Sequence, residues 1–166
     1  MTINLLKRTS FFVILCLVQA LVLNHIHLLN CATPLIYVYF LLLFPRNSKR
    51  WAVLLWSFCL GLVMDTFSNT PGVASTSLTF IGLIQPSLLN LFIHEDSPED
   101  LEPGFRTIGV ATFVRYAVIL VLIYCSLFFT IESFNFFNWL QLIECVGGSS
   151  VLTTLLILAI ESVRKK

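Results

Sequence analysis

Three ionisable residues sit inside long apolar stretches of the chain: Asp65, Arg115 and Glu144. A charge in hydrocarbon costs at least ~2.5–3.5 kcal/mol on insertion scales, so such a group normally faces the interior of a helix bundle and finds a partner there. Small residues at helical spacing accompany each one: Ser57 and Gly61 before Asp65, Ala111 before Arg115, Gly148 after Glu144. Small residues at this spacing mark faces where helices approach closely, so all three charges are expected to point at other helices. The residue types allow an ion pair that fixes helix register, a proton or substrate pathway, or a carboxylate that satisfies backbone donors. At 1.5 Å per residue from the end carrying the basic residues, Asp65 lies roughly 21 Å deep and Arg115 roughly 12 Å, with Glu144 near the level of Asp65. The long arginine stem can close much of that gap, so Arg115 is expected to neutralise Glu144 or Asp65, and the sequence leaves the choice open.

Asp65 has a nearer job available. It ends the run "GLVMDTFSNTPG", and the cluster Ser68-Asn69-Thr70-Pro71-Gly72 must reverse the chain in a few residues. Two helices meeting there leave backbone N–H groups that neither satisfies, and a carboxylate accepts several of them. Thr70 is expected to be the N-cap of the next helix, with Pro71 at its first position, making a rigid hairpin.

Other chemistry finds little footing. The five cysteines (Cys16, Cys31, Cys59, Cys125, Cys145) are scattered, without the spacing of metal ligands, and read as small core hydrophobes. His25 and His27 are read as facing headgroups, with neither a metal nor a catalytic role. "GGSS" at Gly147–Ser150 lacks the context of a nucleophilic serine, and no histidine follows it to act as base. No enzyme activity, cofactor or metal is expected.

The elements that would hold these residues follow from composition. The chain has 166 residues, 57% hydrophobic and 11% charged, against roughly 25% charged for a soluble domain. With a mean hydropathy of +0.90 it reads as an integral membrane protein. A single polytopic domain over 1–166 is expected, with helices at about 10–23, 33–44, 51–66, 72–93, 107–130 and 138–160. Lys7, Arg8, Arg46, Lys49, Arg50, Arg106, Arg164, Lys165 and Lys166 then all fall on one side, while the connections 24–32, 67–71 and 131–137 contain no Lys or Arg. By the positive-inside rule both termini are cytoplasmic.

The second segment is short. About 12 residues reach roughly 18 Å, too little for about 30 Å of hydrocarbon. Either helix one continues through "NHIHLLN", or irregular backbone enters the membrane, which requires protein or water to satisfy its polar groups. The expected solution is a tilted helix with an interfacial loop. The first segment is read as a retained helix rather than a cleaved signal, because no small-x-small cleavage site follows it. The loop 94–106, "HEDSPEDLEPGFR", carries five carboxylates and one arginine; Ser97-Pro98-Glu99-Asp100 has the form of a helix start, and the loop is read as a solvated cytoplasmic connector. A net charge of +1 with no basic cluster beyond the termini argues against a nucleic-acid partner.

"GLVMDTFSNTPGVASTSLTFIGLIQP", with "ATPLIYVYFLLLFP" upstream, resembles the rod shape-determining protein MreD family, in the form found in Bacteroidetes. The likeness extends over nearly the whole chain, and its most characteristic part is the Gly-x-x-x-Asp-x-x-Ser pattern followed by a helix-opening Gly, here Gly61, Asp65, Ser68 and Gly72, with Pro71 before it. The resemblance implies an all-α integral membrane protein, a six-transmembrane-helix bundle of the bacterial inner membrane. It also implies a non-enzymatic scaffold of the cell-elongation machinery, acting among membrane lipids beside MreC, the actin-like MreB and the peptidoglycan synthases to support cell shape. The family is similar in fold to the substrate-binding subunits of energy-coupling-factor transporters, so the alternative is a subunit binding a vitamin or other small molecule. Those subunits carry Ala-x-x-x-Ala in helix one where this chain has Cys16 and Ala20, and a ligand site would draw on Asn135, Asn138 and Trp139.

Overall fold

The computed structural model describes residues 2–21, 33–93, 101–133 and 139–164. Among the described residues six helices follow one another: α1 (Thr2–Leu21), α2 (Val38–Leu42), α3 (Arg50–Ser68), α4 (Val73–Phe92), α5 (Val110–Ser133) and α6 (Trp139–Arg164). No strand occurs among the described residues. Among the described residues three helices are long and apolar enough to cross a membrane: Arg50–Ser68, Val110–Ser133 and Leu142–Arg164. A shorter apolar stretch, Arg8–Gln19, lies in α1. The connection carrying His25 and His27, the Ser97–Asp100 helix start, Asn135 and Asn138 lie outside the described residues.

The expected second helix over 33–44 shrinks to the five residues of α2. Before it, the backbone from Thr33 to Ile36 is irregular; its N–H groups and the Pro34 carbonyl are met by side chains of α1 and α6, and the Leu35 and Ile36 carbonyls accept from Val38 and Tyr39 N–H. Gln19 Nε2 donates to the Pro34 carbonyl at 2.8 Å, and its Oε1 accepts the Ile36 N–H at 3.0 Å. Ser149 Oγ accepts from Thr33 N at 3.1 Å, and Thr153 Oγ1 from Leu35 N at 3.0 Å. Irregular backbone is tolerated in an apolar bundle only under such satisfaction. This corrects the expected tilted helix: residues 34–42 are buried, held between helices, while the interfacial loop expected at 24–30 lies outside the described residues.

α3 and α4 form the most closely packed helix pair. Ser57, Gly61 and Asp65, four residues apart, line one buried face of α3. Ala74, Ser75, Leu78 and Gly82 face them from α4. The core between the helices is filled by large side chains such as Tyr39, Tyr116, Tyr124 and Phe113, none more than 0% exposed. The outer faces are apolar too: Ile14, Phe58, Leu83, Leu122 and Leu155 are all exposed. Helices apolar on both faces suit a lipid surround rather than water.

One end of the bundle gathers the basic connections. The Arg46 N–H donates to the Leu101 carbonyl at 3.3 Å, Arg164 pairs with Glu102, and the Arg8 guanidinium stacks over Phe44. The turn after α3 lies at the opposite end, about 28 Å away along a 19-residue helix.

Candidate functional site

Asp65 ties the two halves of the α3–α4 hairpin together. α3 ends at Ser68, and Asn69 adopts the left-handed conformation (φ 54°, ψ 35°) that commonly closes a helix. The Asp65 carbonyl accepts both the Asn69 and the Thr70 N–H, the latter at 3.2 Å. Thr70, Pro71, Gly72 and Val73 then form a tight turn, closed by Val73 N donating to the Thr70 carbonyl at 3.4 Å. Gly72 has φ 88° and ψ −9°, the third-position geometry of a type II turn, where proline favours the second position and glycine the third.

The first N–H groups of α4 have no partner within their own helix. Here Asp65 supplies it from the neighbouring one. Oδ1 accepts from Ala74 N at 2.8 Å and from the Thr70 hydroxyl at 3.3 Å; Oδ2 accepts from Ser75 N at 3.0 Å and Gly72 N at 3.2 Å. An ionised carboxylate offers about four acceptor sites, and all four are taken. The negative charge also lies at the positive end of the α4 dipole. The expected arrangement is corrected in detail: Thr70 is not the N-cap and Pro71 is not helical, because the turn takes both, Gly72 stands at the N-cap, and the capping oxygens come from Asp65.

Gly61 explains how the carboxylate reaches. A Cβ built on it would lie 2.2 Å from the Ser75 Cα and 2.6 Å from the Ser75 nitrogen. Only hydrogen lets the backbones come this close, and that approach sets Asp65, one turn further along, within hydrogen-bonding distance of the α4 amides. Gly82 plays a similar part lower down, where an added Cβ would meet the Ser57 hydroxyl at 2.3 Å. The site is a buried joint, with Asp65 only 6% exposed. Ser68, the remaining member of the pattern, closes α3 and is exposed.

The expected ion pairs do not form. Arg115 and Glu144 are both exposed, and neither pairs with Asp65 or with the other. Arg115 comes five residues after the start of α5 and Glu144 five after the start of the antiparallel α6. Each is therefore roughly 8 Å from opposite ends of the bundle, too far apart in height for one arginine stem to span. Ala111 and Gly148 are likewise exposed, so the small residues beside these charges do not mark packed faces.

A second buried carboxylate, Glu161, organises the basic end. It is 5% exposed. Its Oε2 accepts from the Tyr39 hydroxyl and its Oε1 from Phe105 N at 3.3 Å, joining α2, α6 and the 101–109 connection. Arg164 lies 3.7 Å from it and 3.2 Å from Glu102. The last helix expected over 138–160 ends one residue short of Glu161; an acid between an apolar run and "RKK" is the signal in the sequence that marks it. Deeper in, Tyr37 and Tyr124 share a hydroxyl hydrogen bond, and Gln85 Nε2 donates to the Tyr116 hydroxyl at 3.1 Å and the Phe44 carbonyl at 3.4 Å. Among the described residues no group of three or more His, Cys, Asp or Glu side chains is placed to hold a metal.

No protein-family model, curated protein or solved structure matches the chain.

Proposed function

We propose that this chain is a non-enzymatic scaffold subunit of the bacterial cell-elongation machinery, related to MreD. In this reading it is seated in the inner membrane with both termini in the cytoplasm. It acts there through MreC and, directly or indirectly, MreB and the peptidoglycan synthases.

The observation that carries the reading is the use made of the Gly61, Asp65, Gly72 pattern on which the resemblance rests. Each member serves the architecture of one joint: Gly61 permits the close approach, Asp65 caps the partner helix, and Gly72 takes the positive φ of the turn. With its acceptor sites all engaged, Asp65 has no capacity left for a transported ligand. A vitamin-binding subunit would need free polar groups beneath the loops of this end, and the carboxylate that the sequence puts there is already committed. A fixed joint between two helices suits a protein that presents a surface to partners. The clustering of Arg46, Arg164 and Arg8 at the end opposite the hairpin supports cytoplasmic termini.

Replacing the chromosomal copy in the native host with an inducible one tests this. Depletion is expected to turn rods into widening, rounded cells while vitamin uptake continues. Unchanged shape with a failure of vitamin-dependent growth would reverse the reading.

A further inference from the structure

Three polar groups along α5 and α6 have no partner among the described residues: the exposed charges of Arg115 and Glu144 and the hydroxyl of Thr154. They share one seam. A shallow groove of about 240 Å³ runs between the two helices, lined by Val118 and Leu122 of α5 and by Ser150, Val151, Thr154 and Leu155 of α6. Arg115 comes seven residues before Leu122 and Glu144 seven before Val151, so both charges stand on the helix faces that line the groove, toward opposite ends of the bundle. We propose that this seam docks one membrane-spanning helix of another protein, carrying an acid level with Arg115, a base level with Glu144 and a hydrogen-bonding side chain between them.

The spread of the three groups selects the occupant. Arg115 and Glu144 lie near opposite ends of helices of 24 and 26 residues, so they differ in height by roughly 20 Å, with Thr154 between them near the middle of α6. A phospholipid is polar only at its headgroup, so it can serve one end of the seam and offers hydrocarbon to the rest. A transmembrane helix reaches both ends and the middle. Thr76, Thr79 and Thr130 each bond the carbonyl four residues back, whereas Thr154 bonds none and keeps its hydroxyl for a neighbour. Ala111 and Gly148, exposed four residues from Arg115 and Glu144 respectively, leave room beside each charge for a close approach.

Charge also argues against a second copy of this chain. Copies in one membrane share an orientation, so two such seams packed face to face would set Glu144 against Glu144 and Arg115 against Arg115, and like charges repel. The complement is a helix with the opposite charge at each level. At 1.5 Å per residue its acid and base fall about 13 residues apart. Docking of such a helix needs only the membrane setting, not the elongation reading.

A synthetic leucine-alanine transmembrane peptide tests it, with Lys and Glu about 13 positions apart and Ser midway, reconstituted with the full-length chain in phosphatidylcholine vesicles and followed by energy transfer between dyes on the two. Binding of one peptide per chain is expected, about tenfold tighter than for a peptide with leucine at the three polar positions. Glu144→Gln and Arg115→Gln should each weaken it severalfold. Glu144→Lys should reject this peptide and bind one in which Glu replaces the Lys. Gly148→Leu obstructs the approach without touching charge and should also weaken binding severalfold, whereas Leu83→Ala, at an exposed position of α4, should leave it unchanged. Equal binding of the polar and all-leucine peptides by the unaltered chain would overturn the proposal. So would failure of the exchanged charges to restore binding to Glu144→Lys. Energy transfer between two differently labelled copies of the chain, abolished by Gly148→Leu, would assign the seam to self-association and overturn it as well.

Discussion

The carboxylate of Asp65 accepts the backbone N–H of Ser75 at 3.0 Å, ten residues away and on the next helix. The same Ser75 lies so close to Gly61 that a methyl group there would overlap its Cα. One turn of α3 thus provides both the space and the acceptor for the first turn of α4, and the stability of the hairpin should depend on that joint.

Asp65→Ala would leave the amides of Gly72, Ala74 and Ser75 without their acceptor. At ~1–3 kcal/mol for each of the two buried donors, Ala74 and Ser75, the loss should be about 2–6 kcal/mol, the exposed Gly72 amide adding little. Asp65→Asn keeps one oxygen but turns an NH₂ group toward N–H donors, so about 1–3 kcal/mol is expected. Thermal unfolding in detergent checks the order Ala, then Asn, then the unaltered chain. Near-normal stability of Asp65→Ala would rule out the capping role.

Gly61→Ala and Gly82→Ala should differ although each adds one methyl group to the same helix pair. At Gly61 the obstacle is backbone of α4, which cannot rotate away, and overpacking of this kind costs about 1–3 kcal/mol. At Gly82 the nearest atom is the Ser57 hydroxyl, which can turn aside, so about 1 kcal/mol or less is expected. Equal destabilisation of the two variants in the same unfolding assay would contradict the close approach at Gly61.

Thr153→Val removes a hydroxyl at nearly constant volume and leaves the buried Leu35 N–H without its acceptor. The expected cost is about 1–3 kcal/mol, and Thr153→Ser should recover most of it. Failure of serine to rescue would mean that the methyl group, rather than the hydroxyl, holds the irregular segment against α6.

Arg115→Gln, Glu144→Gln and the double substitution should each change stability by no more than about 0.5 kcal/mol, as expected for exposed side chains away from the core. A double-mutant cycle measures the pair directly. Coupling well above that value would restore the ion pair expected from the depth arithmetic.

How far the sequence could be read depended on how local each constraint was. Gly61 and Asp65 were legible because both spacing and turn chemistry are short-range: four residues place them on one face, and Asn69, Pro71 and Gly72 announce a reversal just beyond. The cap itself was misplaced by a few residues, since Thr70 and Pro71 fit a helix start as well as a type II turn. Arg115 and Glu144 were read wrongly because spacing reports which residues share a face and not what covers that face. The short second segment announced that it needed partners, but Gln19, Ser149 and Thr153 lie 14 or more positions away from it and meet it only through folding. Glu161 escaped because its partners, Tyr39 and the Phe105 amide, come from two distant parts of the chain.

Affinity purification of the tagged chain from its own host's membranes in mild detergent, with the co-purifying proteins identified by mass spectrometry, tests the scaffold assignment most directly. Recovery of MreC together with the elongation synthases is expected, with loss of both from the Asp65→Ala variant at equal expression. Recovery of a transport ATPase pair without MreC would contradict it.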